Sequence, residues 1–257
     1  MKILAVIIFL SGHIAFGQEV GEKKLLFAGS SQDLSKNFIE ISNQSTDPYK
    51  FFVNAAGNLT YSGGAGDFGL LMYKNPVYNF DLHLKLKVPG GDFFWANSGV
   101  FLRFENPLQD IADLVPAAHW PENWVATLEE RTRGFLAEWT GVEVQLHSGR
   151  EHFERPVNTR NGAFYGVPIG AKLNQQRHGE YRFNAGQEYE VLIRARGASF
   201  EVFMKWQYQD AFVKVSSLTF TNGARAHRPG FIAIQSYYND GKQYRSLEFK
   251  EIILTKF

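Results

Sequence analysis

Gly141-Val142-Glu143-Val144-Gln145-Leu146-His147 alternates apolar and polar residues one by one. A strand points successive side chains to opposite faces. Val142, Val144 and Leu146 therefore share one face, and Glu143, Gln145 and His147 share the other. The apolar face belongs in a core. The other carries a carboxylate, an amide and an imidazole in a row, about 7 Å apart along the strand. Such a row fits a general base, an orienting group and an acid, or part of a metal site. It equally fits the solvated face of an antiparallel strand.

The same rhythm recurs on both sides of this stretch. Phe80 to Val88 sets Phe80, Leu82, Leu84, Leu86 and Val88 against Asp81, His83, Lys85 and Lys87. In Asn97 to Phe104, alternation puts Ser98, Val100, Leu102 and Phe104 on one face and Asn97, Gly99, Phe101 and Arg103 on the other. Arg103 there reads as an outward charge that snorkels, or as a bidentate clamp for an anion or sugar hydroxyl. Glu188 to Arg196 and Ser199 to Trp206 read as a hairpin across Gly197-Ala198. Further strands are read at Leu25 to Phe27, Tyr49 to Asn54, Asn58 to Ser62, Asn161 to Val167, Ala211 to Phe220, Gly230 to Ser236 and Tyr244 to Thr255. Gly29 to Leu34 reads as a turn and Leu173 to Gly179 as loop. About a dozen strands without a βαβ rhythm predict an all-β fold, a single antiparallel β-sandwich of jelly-roll type. An aromatic share of 15% and 24 glycines agree with β structure and many turns.

Pro107, Pro116 and Pro121 break the strand rhythm between Glu105 and Trp139. Asn123 to Glu138 is partly periodic, with Trp124, Leu128, Phe135 and Trp139 spaced for a helix. The expectation is a partly helical insertion at about 105–139, either a folded lid beside a site or a plug at one end of the sandwich. Met1 to Gly17 reads as a signal peptide: Lys2, an apolar run from Ile3 to Leu10 too short to span a bilayer, and a small-x-small site at Ala15-Phe16-Gly17. That leaves residues 18–257 as one domain, secreted or periplasmic. No cysteine is present for a lipid anchor or a disulfide, and a domain of this size does not need disulfides.

Composition excludes several functions. A net charge of +1 without a basic run offers no surface for nucleic acid. No later segment is long and apolar enough to anchor the chain in a membrane. Gly63-Gly64-Ala65-Gly66-Asp67 lacks the glycine spacing and following helix of a dinucleotide site, and no H-E-x-x-H occurs. No cofactor is therefore indicated. A divalent metal can be built on Glu143 and His147, which share a face, but two ligands are too few to name it.

Four stretches together resemble the 3-keto-disaccharide hydrolase family, built on the concanavalin-like sandwich. Asn97-Ser98-Gly99-Val100-Phe101-Leu102-Arg103 looks like its N-S-G-[VI]-F-[FL]-R strand, and Gly141 to Leu146 like its [GY]-x-E-x-Q-[IL] strand. Gly162-Ala163-Phe164-Tyr165-Gly166 is similar to its G-A-[IFL]-Y-G stretch, and Tyr189 to Gly197 to its strand ending in A-R-G. Two positions depart from the pattern. His147 stands where the family usually has Asp, and Gln235-Ser236-Tyr237-Tyr238 stands where it often has Q-[DN]-H-G.

The resemblance implies action on a carbohydrate, an oxidised glycoside carrying a ketone at carbon 3. The ketone acidifies the hydrogen on carbon 2, so one base, an enolate stabiliser and a proton donor suffice. Ordinary glycoside hydrolysis wants two carboxylates about 5–10 Å apart, and Glu143 has no carboxylate at i±2. On this reading Glu143 is the base, Arg103 and Asn97 bind the ketone or enolate oxygen, and Gln145 and His147 orient the sugar or donate a proton. Tyr165 is a rim donor, with Trp120 and Trp124 of the insertion at the sugar. Glu143 paired with Arg103 as a structural ion pair is the alternative at residue level. At the level of the whole chain the alternative is a carbohydrate-binding module of the same fold without catalysis.

Overall fold

The computed structural model describes residues 21–42, 50–62, 68–90, 96–106, 140–148, 160–165, 172–222, 228–237 and 246–257. The insertion expected at about 105–139, with Trp120 and Trp124, and the expected signal segment lie outside the described residues. Among the described residues no helix is long and apolar enough to cross a membrane.

Two antiparallel sheets pack face to face. The larger contains β1 (Glu22–Phe27), β3 (Lys50–Val53), β4 (Leu59–Ser62), β6 (Phe80–Lys87), β10 (Leu173–Arg177), β11 (Glu188–Arg196), β12 (Ser199–Trp206), β13 (Val213–Phe220) and β15 (Glu248–Lys256). Its strand order is β10-β13-β12-β11-β6-β15-β4-β3, with β1 also paired to β15. The smaller sheet runs β2 (Phe38–Ser42), β5 (Phe68–Tyr73), β14 (Phe231–Tyr237), β7 (Ala96–Phe104), β8 (Val142–Ser148) and β9 (Phe164–Tyr165). The β-sandwich predicted from alternation is the fold observed.

The core follows directly from that alternation. Leu82, Leu84 and Leu86 of β6, Val191 and Ile193 of β11, and Val202 and Met204 of β12 pack against Val100 and Leu102 of β7 and Val142, Val144 and Leu146 of β8. Removing each such side chain from water is worth about 1.5–3 kcal/mol, which fixes strand register wherever one face is buried. A second apolar cluster lies on the other face of the smaller sheet: Ile41, Leu70, Met72, Phe101, Phe104 and Ala233. The smaller sheet therefore withdraws side chains from water on both faces.

Three local readings change. The turn at Gly29 to Leu34 contains the start of helix α1 (Ser31–Asn37), whose N-cap Ser30 accepts a hydrogen bond from the Gln32 amide. Seven residues with one apolar side chain, Leu34, carry too little periodicity to advertise a helix. The loop at Leu173 to Gly179 contains β10, polar in sequence because it is the sheet's edge strand, bonded among the described strands to β13 alone. Strands β2 and β5 were not predicted from the sequence at all.

Candidate functional site

Strand β8 runs between β7 and β9 in the smaller sheet. Its register sets Glu143 opposite Phe101, Gln145 opposite Gly99, and His147 opposite Asn97. On the other side Glu143 pairs with Tyr165 of β9. Because Val142, Val144 and Leu146 face the inter-sheet core, Glu143, Gln145 and His147 lie on the sheet's outer face. All three are buried there, at 3%, 6% and 6% exposure. A buried carboxylate, amide and imidazole in one row are not a solvated strand face.

The Glu143 carboxylate leans diagonally from its own register partner to the neighbouring strand. A Cβ at Gly99 would stand 2.1 Å from Glu143 Oε1 and 2.8 Å from its Cδ. The carboxylate thus occupies the space that any other residue at position 99 would fill. This gives Gly99, an otherwise unfavourable choice within a strand, its physical reason.

The polarity of the neighbouring amides is fixed by their partners. Gln145 Nε2 lies 3.2 Å from the Ser98 carbonyl oxygen, which only accepts, so the Gln145 amide nitrogen must face it. The same nitrogen donates to Asn97 Oδ1 at 2.8 Å. Asn97 consequently turns its Nδ2 donor away from Gln145. Neither Asn97 Nδ2 nor Gln145 Oε1 has another hydrogen-bond partner among the described residues. Asn97 is half-buried and Tyr165 is 42% exposed, at the rim.

The edge beyond His147 is closed by residues 160–163. The His147 backbone amide lies 3.4 Å from Asn161 Oδ1, and Asn161 Nδ2 donates to the Tyr181 carbonyl. Asn161, fully buried, was read from the sequence only as the start of a strand. The signal for it was its place just before Gly162-Ala163, which pairs with the backbone of Gln145.

Arg103 is not brought to this row, which corrects its assignment as a clamp beside Glu143. Phe231 pairs with Phe104 and Ile232 with Leu102, so Arg103 is an extra residue in β7, a β-bulge. It sits at φ 50°, in the left-handed region. The bulge inverts the faces after Leu102: Phe104 joins Phe101 in the outer cluster, and Arg103 turns to the opposite side. There its Nε donates to the Tyr78 carbonyl at 3.0 Å, Nη2 bonds the same oxygen, and Nη1 bonds the Gly197 carbonyl. The guanidinium lies over the rings of Tyr78 and Phe200, 4.6 and 4.7 Å from their centroids. Burial pulls its pKa down to about 10, which leaves it charged at neutral pH. Arg103 ties the smaller sheet to the β11–β12 turn, and its alternative pairing with Glu143 falls with the clamp.

Gln235 is the residue that sequence reading did not assign to the site. It pairs with Gly99 from β14 and is 7% exposed. Alternation after Phe231 and Ala233 in the outer cluster was the available signal. Among the described residues no group of three or more His, Cys, Asp or Glu side chains is placed to hold a metal ion.

Lectin UEA-II complexed with galactose shares the fold at a TM-score of 0.50, with 12% identity over 92% of this chain and 98% of its own. Lectin II from Ulex europaeus gives a TM-score of 0.48 with 12% identity over 86% and 92%. A legume lectin-like domain from Entamoeba histolytica gives 0.45 with 9% identity over 91% and 97%. No curated protein matches the sequence. The model of the 3-keto-alpha-glucoside-1,2-lyase-like domain matches residues 23–252, nearly the whole described sandwich, and the chain belongs to that family.

Proposed function

We propose that this protein is an exported, glycoside-active enzyme that cleaves 3-keto-glycosides or 3-keto-disaccharides by proton abstraction, elimination and hydration. The observation that carries the reading is the Glu143 carboxylate, buried in a polar row on the outer sheet face and laid over Gly99. Membership of a lyase-like carbohydrate family supports it.

In this mechanism Glu143 takes the proton from carbon 2 of the keto sugar. The electron pair moves toward the carbon-3 oxygen to form an enolate. Asn97 Nδ2, turned outward by the Gln145 bond, donates to that oxygen. The enolate collapses, the bond from carbon 1 to the leaving oxygen breaks, and His147 supplies the proton this oxygen needs. Water then adds to carbon 1 of the enone and gives its proton to His147, while Glu143 returns the first proton to carbon 2, giving net hydrolysis with both residues restored. Gln145 Oε1 accepts from a sugar hydroxyl, and Tyr165 contacts the sugar at the rim. Arg103 has no step in this sequence.

Glu143→Gln keeps size and hydrogen bonding but removes the base. It should lower the rate on a p-nitrophenyl 3-keto-α-glucoside by about 10²–10⁴ with the fold intact. The unoxidised glucoside, whose carbon-2 hydrogen is not acidic, should be untouched. Full activity of Glu143→Gln would leave a carbohydrate-binding face as the better reading. Equal cleavage of the plain glucoside would replace elimination with ordinary hydrolysis.

A further inference from the structure

Gln235 lies in β14 with Gly99 of β7 on one side and Leu70 of β5 on the other. Gly99 is paired in turn with Gln145. Two glutamines therefore flank one glycine across three strands, and the Glu143 carboxylate occupies the space over that glycine. Paired Cα atoms in neighbouring antiparallel strands are about 4.5–5.5 Å apart. A glutamine side chain spans that distance, so Gln235 borders the carboxylate from the side opposite Gln145. Its face is settled by its neighbours: Ile232 and Ile234 belong to the inter-sheet core, and Ala233 to the outer cluster.

The two glutamines differ in what holds them. The Gln145 amide is tied to Asn97 and to the Ser98 carbonyl. Gln235 accepts a bond from Ser98 Oγ at 2.6 Å through its backbone carbonyl, but among the described residues neither atom of its side-chain amide has a hydrogen-bond partner. The residue is 7% exposed. What it exposes includes its amide, which reaches solvent on the outer sheet face and is open to a ligand there.

We propose that Gln235 is a substrate-contacting residue whose amide bonds the sugar held over Glu143; this rests on the glycoside-active reading of the site. An amide presents a donor and an acceptor side by side. That pair matches the oxygens on two adjacent ring carbons of a keto sugar, a carbonyl that accepts and a hydroxyl that donates. Gln145 Oε1 and Asn97 Nδ2 face the ring from β8 and β7, and Gln235 completes the contact from β14.

Gln235→Met, nearly isosteric, separates a ligand role from a packing role. The unfolding temperature should stay level, because the amide that is lost bonds no other described residue. KM for the p-nitrophenyl 3-keto-α-glucoside should rise about tenfold, and the thermal shift that this glucoside produces should shrink. Gln235→Asn, which withdraws the amide by one methylene, should also raise KM, and it serves if the Met variant aggregates. A wild-type KM and thermal shift in the folded variants overturns the proposal, as does lost stability with unchanged KM. If the wild-type protein binds the keto-glucoside without turning it over, elimination fails while the thermal shift still decides Gln235. If it neither binds nor turns it over, both readings fail.

Discussion

Glu143 and Gly99 form a pair that neither residue reveals alone. Gly99 has no left-handed torsion, so only space restricts what can stand there. In Gly99→Ala the new methyl would meet Glu143 Oε1, and the carboxylate must move. The expected loss is on the order of 10² in rate, the usual cost of misplacing a reacting group by about 1 Å. A double-mutant cycle with Glu143→Ala should give a coupling of about 0.5–3 kcal/mol in urea unfolding, because the methyl is harmless once the carboxylate is gone. Additive effects would mean that the two side chains do not share this space. Much at this scale was legible in the sequence. Alternation alone set Glu143, Gln145 and His147 on one face, and register brought Asn97 to His147. The diagonal lean of Glu143 was not legible, because period-two patterning reports faces and not the direction a long side chain takes within one.

Strand β7 is where the sequence reading and the structure part. Alternation assumes an unbroken pleat, and a one-residue bulge reverses every face beyond it. No pattern within Ala96–Phe104 announces the slip. Its trace lies just before the partner strand β14, at Gly230, where a Cβ would stand 2.5 Å from the Arg103 carbonyl carbon. Arg103→Lys loses the planar fork that serves two backbone carbonyls and lies over two rings. It should destabilise the protein by about 1–3 kcal/mol in urea unfolding, while KM for the keto-glucoside stays at the wild-type value. A large rise in KM with full stability would return Arg103 to the site. Element β10 was missed for a different reason: Leu173-Asn174-Gln175-Gln176-Arg177 is a strand by its bonds to β13, not by apolar content.

The whole molecule treats the outer faces of its two sheets differently. The smaller sheet buries the candidate site and an apolar cluster, whereas the larger sheet carries charges paired across strands. Glu190 of β11 sits between Lys205 at 2.8 Å and His83 at 2.7 Å, and Lys85 meets Glu251 at 2.7 Å. Burial alone would raise the Glu190 pKa, but hydrogen bonds from Lys205 and His83 outweigh it and hold the carboxyl below its ordinary 4.5. A depressed carboxylate adds stability above its unfolded pKa and loses it as pH falls through the folded one. Glu190→Gln should therefore lower the unfolding temperature at pH 7, and the gap from wild type should close below about pH 4.5. The effect should be small, about 0–1 kcal/mol, because the pair is partly exposed. A gap that widens in acid would refute the assignment.

Strand β6 is flanked by β11 and β15: Lys87 meets Glu188 on one side and Glu248 on the other. On the ribosome, β6 is finished long before either neighbour exists. At about 5–20 residues per second it waits for seconds with both edges open. During that interval nothing in the finished sandwich protects it from other nascent chains. Asp81, Lys85 and Lys87, with His83 between them, put a polar or charged side chain at every second position, the pattern that guards aggregation-prone strands. The ladder that binds β6 to its neighbours in the folded protein is thus also its guard before they arrive.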